Sequence, residues 1–129
     1  MAAATALDVS VPAEQGPPLH LHLHLHLHVC EDEMYYVLDG LVRVKIDEQI
    51  LPAPAGSFVF IPRGAPHCFQ NPADEAARLF VMFTPAGMER FFERFAEHRG
   101  PVAPEILQAV AETAWMQVSG PPLVASDPL

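Results

Sequence analysis

Nine residues, His20 to His28, alternate histidine and leucine without a break. That is the period-2 pattern of a strand with one imidazole face and one leucine face, so His20, His22, His24, His26 and His28 project the same way. At roughly 3.3 Å of rise per residue, neighbours on that face stand about 6.6 Å apart and the outermost pair about 26 Å apart. An imidazole nitrogen binds a transition metal at about 2.0–2.1 Å, so two adjacent histidines can converge on one ion and the far ones cannot reach it. At most one neighbouring pair serves a given metal. Glu31, Asp32 and Glu33 follow after Val29 and Cys30, close enough for the chain to bend and return a carboxylate. Met34 to Leu38 is then a second apolar segment, and Asp39-Gly40 is a hairpin signal.

Fourteen prolines and seven glycines are scattered through the 129 residues and cut the first two-thirds into short segments. The pattern predicts strands at Leu7 to Val11, Leu19 to Cys30, Met34 to Leu38, Leu41 to Ile46 and Gln49 to Leu51, then a loop from Pro52 to Gly56. Further strands are expected at Ser57 to Pro62, His67 to Gln70 and Arg78 to Phe83, which is the count of a β-sandwich or barrel. After Pro85 the period changes: Met88, Phe91, Phe92 and Phe95 recur at helical spacing, predicting an amphipathic helix that ends before Gly100-Pro101. A second helix is expected from about Pro104 to Thr113 with Ile106, Leu107 and Val110 on one face. Trp115 to Val118 reads as a short closing strand and Gly120 to Leu129 as a loose tail. The fold class is mostly β with a C-terminal pair of short helices: one domain, its barrel about 5–84, helical segment about 85–114, closing strand and tail 115–129.

A net charge of −9 argues against nucleic acid or an anionic membrane as partner, because both demand a basic surface. Two cysteines, Cys30 and Cys68, make no secreted disulfide framework, and the N-terminus has no cationic region before an apolar core. A cytoplasmic protein is the expectation.

The second half of the barrel makes the pattern specific. His26 and His28 are followed by four residues, Glu33, six residues and Gly40. Farther on, Gly56, Pro62, Gly64, His67 and Asn71 stand at the spacing G, five residues, PxG, two residues, H, three residues, N. These two signatures resemble those of the cupin superfamily, and the stretch from ARLFVMFTPAG to SGPP is similar to the small quercetin-dioxygenase-like, single-domain cupins. The resemblance implies a conical antiparallel β-barrel holding one metal ion through His26, His28, Glu33 and His67. Three imidazoles and a carboxylate suit Fe, Mn, Ni, Cu, Co or Zn and not Ca or Mg, which want more oxygen ligands.

Two departures from the family pattern matter. The Gly16-Pro17-Pro18-Leu19 run that ordinarily leads into the histidine pair would nominate His20 and His22, whereas the anchors Glu33 and Gly40 nominate His26 and His28. The second anchor is preferred, since the first would loop out about six residues and expose Leu23, Leu25 and Leu27 at roughly 1.5–3 kcal/mol each. His20, His22 and His24 are then a solvated face or, alternatively, a second metal site. The chain also has almost no strand before Leu7, and an unfilled sheet edge is a pairing template, so a homodimer is expected. Arg43, Lys45 and Gln70 are candidate substrate contacts if they point inward, and Cys30 a candidate thiolate. Tyr35, Tyr36, Phe58, Phe60 and Phe69 are expected in the core, one or two of them lining the pocket. The function implied is a metal-dependent enzyme with the metal centre as its catalytic group, a dioxygenase acting on a small enolic, diketone or phenolic substrate, with isomerase or decarboxylase as variants. The alternative is a non-catalytic cupin that binds or senses a small ligand.

Overall fold

The computed structural model describes residues 3–13, 24–97 and 103–122. In chain order the strands are β1 Thr5–Val11, β2 His24–His28, β3 Asp32–Asp39, β4 Leu41–Ile46, β5 Gln49–Pro54, β6 Phe58–Ile61, β7 His67–Gln70 and β8 Ala77–Thr84. Two helices follow, α1 Glu89–Ala96 and α2 Pro104–Glu112, and then β9 Met116–Pro122. The strands form two antiparallel sheets, ordered β1-β8-β3-β6 and β5-β4-β7-β2-β9. Among the described residues no pairing joins these sheets into a ring, so the expected closed conical barrel is here a pair of sheets.

Period-2 alternation decides what each strand buries. On β3 the inward set is Glu33, Tyr35 and Val37; on β8 it is Ala77, Leu79, Val81 and Phe83; on β4 it is Val42 and Val44. These residues form the core with Ile61 of β6, and each aliphatic or aromatic side chain buried there contributes about 1.5–3 kcal/mol. Met88 and Phe91 bring α1 onto the same core, and Val110, Ala111, Ala114 and Met116 do so for the α2–β9 corner. The Thr5 hydroxyl donates to the Glu89 carboxylate, which also accepts the Gly87 amide at 2.9 Å, so the start of β1 is tied to the first turn of α1. That hydrogen bond holds the Glu89 carboxyl below its ordinary range.

Two signature residues are explained by backbone geometry. Gly40 turns β3 into β4 at φ +81°, and a Cβ there would stand 3.0 Å from the Ala77 Cα, so both the conformation and the space demand glycine. Asn71 donates from Nδ2 to the carbonyls of Val11 at 3.1 Å and Glu75 at 2.7 Å, and its Oδ1 accepts the Ala73 amide, fastening the β7–β8 loop to the end of β1.

Several boundaries differ from expectation. β5 continues through Pro52 to Pro54 where a loop was expected, because among the described residues it is an edge strand paired with β4 alone and a missing amide costs no ladder bond. β9 runs to Pro122, so Gly120 to Pro122 is strand and not tail; Pro122 pairs with His24. Trp115 precedes that strand in a turn, at φ +56° and exposed. α1 starts at Glu89, after Pro85, and the side chains of Phe95 and Leu107 lie outside the described residues. Among the described residues no helix is long and apolar enough to cross a membrane.

Candidate metal centre

The two sheets meet at a cluster of four side chains. His26 and His28 lie two apart on β2, and the β2–β7 ladder sets His26 directly opposite His67. Glu33 comes from β3 in the facing sheet. One ligand-capable atom from each of His26, His28, Glu33 and His67 lies within 4.8 Å of all the others, and all four residues are buried. The imidazole centroids are 4.3 Å apart for His26 and His67, 5.1 Å for His26 and His28, and 5.2 Å for His28 and His67.

The polar geometry around the cluster aims it at a cation. His67 Nδ1 lies 2.9 Å from the Ala65 carbonyl, which orients the ring and turns Nε2 inward, 2.6 Å from Glu33 Oε2. The turn that sets this distance is the RGAP segment, closed by Ala65 N to Pro62 O at 3.1 Å and tied to β2 by Gly64 N to His28 O at 2.7 Å. His28 Nε2 stands 2.9 Å from the same carboxylate oxygen but off a hydrogen-bond line, and neither of its ring nitrogens has a hydrogen-bond partner. Burial alone would raise the Glu33 carboxyl, but His28 and His67 together outweigh it and hold Glu33 well below the carboxylate range. The group is therefore an anion at any physiological pH.

Two further buried polar groups flank the cluster. Glu31 Oε2 and the Tyr35 hydroxyl are buried without a hydrogen-bond partner. Burial pushes the Glu31 carboxyl up, against the opposing influence of His28, and burial beside Glu33 pushes the Tyr35 phenol well up, so Tyr35 keeps its proton. The four unpartnered buried side-chain atoms of the described residues thus belong to His28 and to these two neighbours. An unpaired buried polar atom costs about 1–3 kcal/mol, so a constellation like this fits a bound cation and a polar ligand beside it. The walls nearby are apolar: Phe83 meets His28 edge-on at 5.2 Å, Phe69 meets Tyr35 at 5.5 Å, and Phe92 lies against Phe83.

The other sequence candidates fall elsewhere. Arg43 pairs with Gln70 in register and Lys45 with Cys68, while the inward-facing Val44 and Ile46 sit opposite Phe69 and His67. Arg43, Lys45 and Gln70 therefore point away from the cluster, and Arg43 donates to Gln70 at 3.0 Å. Cys68 shares the outward face with Lys45, and Cys30 is outside the cluster, in the β2–β3 turn. Tyr35 and Phe69 are inward, whereas Tyr36, Phe58 and Phe60, expected in the core, are exposed on the outer face of their sheet. Apolar residues at adjacent positions of Tyr35-Tyr36 and Phe58 to Phe60 leave the inward face undecided until partner strands are known. His20 and His22 lie outside the described residues, as does the side chain of His24. Glu31 is the functional candidate that strand periodicity missed, since a turn residue has no face; its place beside the acidic pair Asp32-Glu33 was the available signal.

A family profile described as a cupin domain matches residues 9–83. A search among curated proteins found no significant match. Similar solved structures include TT1209 from Thermus thermophilus, 27% identical with a TM-score of 0.56, covering 66% of this chain and 75% of that one. A sugar phosphate isomerase of the cupin superfamily from Silicibacter pomeroyi is 22% identical with a TM-score of 0.54, over 67% of this chain and 54% of that one, so the chain spans about half the isomerase's length. The nucleoside dehydratase Pac13 of Streptomyces is 20% identical with a TM-score of 0.53, over 65% of this chain and 61% of that one.

Proposed function

The chain belongs to the cupin domain family, and from that premise we propose that it binds one divalent transition metal through His26, His28, Glu33 and His67 and acts as a dioxygenase-type enzyme on a small enolic, diketone or phenolic compound. The observation that carries this reading is the convergence of four buried ligand atoms within 4.8 Å, with the unpartnered buried polar side-chain atoms of the described residues all on His28 itself and on Glu31 and Tyr35. A metal held there supplies Lewis acidity and, for a redox-active ion, electron transfer to a bound substrate.

The residues around it do the rest. The Ala65 carbonyl orients the His67 ring, and Glu33 balances the ion's charge without needing to lose a proton first. The Tyr35 hydroxyl is a protonated donor positioned beside Glu33, suited to a substrate oxygen on which negative charge develops. Phe69, Phe83 and Phe92 exclude water and accept an apolar or aromatic body.

Charge favours this substrate class over that of the isomerase neighbour. A sugar phosphate calls for a cation inside the cup. Among the described residues, Arg43 and Lys45 lie on the opposite face of their sheet, Arg63 and Arg78 are held at the surface by Asp32 and Asp8, and Arg90 and Arg94 are exposed. Oxygen uptake by metal-loaded protein, measured over a panel of flavonols and β-diketones, tests the reading. Substrate-dependent uptake that His67→Ala abolishes is the expected result. No uptake with any metal, together with turnover of a sugar phosphate, would overturn the dioxygenase reading.

A further inference from the structure

Glu31 is a buried ionisable group that the metal site leaves without a task. It sits in the β2–β3 turn between the ligand-bearing residues His28 and Glu33, and is 5% exposed. Its Oε2 has no hydrogen-bond partner. A carboxyl is seldom buried unless it is paired, because leaving it unpaired away from water is costly.

The protein groups that could pair with it are engaged elsewhere or misaligned. Arg63 is within electrostatic reach of Glu31, but its backbone amide, Nε and Nη2 all donate to Asp32, at 2.9, 3.2 and 3.2 Å. His28 is within reach as well, and neither of its ring nitrogens makes a hydrogen bond. The backbone at Cys30 and at Glu31 itself hydrogen-bonds the carboxyl and so aims it. A Cβ on Gly87 would stand 3.6 Å from Glu31 Oε1, so the carboxyl lies against the connection from β8 to α1. That connection starts beyond Phe83, which meets His28 edge-on at 5.2 Å. Glu31 therefore belongs to the same end of the cluster as His28 and Phe83.

Tyr35 supplies the complementary group. It follows Glu33 on the inward face of β3, and its buried hydroxyl beside Glu33 has no partner either. Four residues of chain separate Glu31 from Tyr35 and span at most about 14 Å, so one small molecule seated on a metal held by Glu33 comes within reach of both. Tyr35 donates to a ligand oxygen, whereas Glu31 calls for a ligand donor. A hydroxyl meets Glu31 in either protonation state, since a carboxylate accepts its hydrogen bond and a carboxylic acid both donates and accepts. A ligand ammonium would face the positive metal next door, which selects the neutral hydroxyl.

We propose that Glu31 reads a hydroxyl of the ligand other than the oxygens that meet the metal, so that the site takes a hydroxylated enol or phenol and not a bare β-diketone. The inference rests on the metal-site reading above and narrows its substrate class. A site that hydrogen-bonds a ligand hydroxyl rejects the analogue lacking it, because the site's own polar group is then left unpaired. Ordered water on Glu31 is the competing occupant and gives no such preference.

Titration of the Co(II)-loaded full chain with two pairs of chelating pyranones, kojic acid against allomaltol and hydroxymaltol against maltol, tests the proposal. Within each pair the enol–carbonyl chelate is the same and a hydroxymethyl replaces a methyl, on a different side of the ring in each pair. The Co(II) absorption band reads binding, and elemental analysis reads metal content. Wild type is expected to favour the hydroxymethyl member of one pair by about tenfold or more, and Glu31→Leu to abolish that preference. The ratio is taken between samples of equal Co(II) content, so a weakened metal site alone leaves it unchanged. Tyr35→Phe is expected to weaken both members alike and keep the ratio. Should Glu31→Leu fail to fold, Glu31→Asp, which withdraws the carboxyl by one methylene, decides instead and is expected to lose most of the preference. Wild type that binds the probes through Co(II) with no preference, or a preference that survives the change at Glu31, overturns the proposal while the metal site stands. Wild type that takes up no Co(II) overturns the metal-site reading, and this inference with it.

Discussion

Replacing Glu33 by glutamine sets two large effects of opposite sign against each other in the metal-free protein. The carboxylate is 4% exposed and meets His28 and His67 on one oxygen, at 2.9 and 2.6 Å. Burying that charge is costly, and if desolvation dominated, a neutral amide of the same shape would stabilise the fold. The depressed Glu33 carboxyl says that the histidines win. The hydrogen bond between His67 and the charged carboxylate contributes about 1.5–3 kcal/mol, of which a glutamine oxygen keeps only a neutral remnant while the attraction to His28 is lost, so Glu33→Gln should cost about 2 kcal/mol at about pH 6. For a chain of this size that is a fall of about 8 °C in Tm. Because the folded carboxyl titrates below its unfolded value of 4.5, its contribution is present in full above pH 4.5 and is lost as pH falls through the folded value. The gap between wild type and variant should therefore close in acid. Thermal melts in EDTA from about pH 6 down to about pH 3 read both quantities. A variant as stable as the wild type at the upper end, or a gap independent of pH, would refute the electrostatic argument.

Three other outcomes follow from the site and its supports. His26→Ala and His28→Ala should each lose most of the bound metal in a Co(II) titration while His20→Ala with His22→Ala keeps it; the reverse pattern would give the register to the Pro-Leu anchor. Gly40→Ala must hold alanine at φ +81° against the Ala77 backbone, so urea unfolding should show a loss of at least about 1–3 kcal/mol, and a neutral effect would mean that the β3–β4 turn is not constrained. Burial raises the Glu31 carboxyl above its ordinary 4.5, so Glu31→Gln should stabilise the metal-free fold above that pH; as a carboxylate within electrostatic reach of His28, Glu31 should also strengthen the metal site, and its loss should weaken chelator-competed affinity about 10–100-fold. An unchanged affinity would leave Glu31 with no part in orienting His28.

Legibility in the sequence followed the physics of each signal. Period-2 patterning located most of the strand cores because a half-buried strand must alternate, and the resemblance of the spacings around His26, Glu33, Gly40, Gly56 and His67 to the two cupin signatures identified the four residues that converge. Spacing along one strand says nothing about which face meets the other sheet, and that is why the facing of Arg43, Lys45 and Gln70 stayed open: their orientation follows from the pairing of Ile46 with His67, a contact between distant segments. Pro52 to Pro54 and Gly120 to Pro122 hid as loops because proline and glycine disfavour strands in general and are tolerated where only one ladder is needed. Tyr36, Phe58 and Phe60 were expected in the core on hydrophobicity alone, which cannot separate a core face from an exposed one.

Metal content of the untagged protein tests the central claim most directly. Elemental analysis of wild type purified at about pH 7.5 should give about one transition-metal ion per chain, falling in acid, where protons compete for the imidazole nitrogens. His67→Ala should lose most of it. Wild type that takes up no transition metal even when dialysed against one, or a His67→Ala variant with full occupancy, would contradict the account.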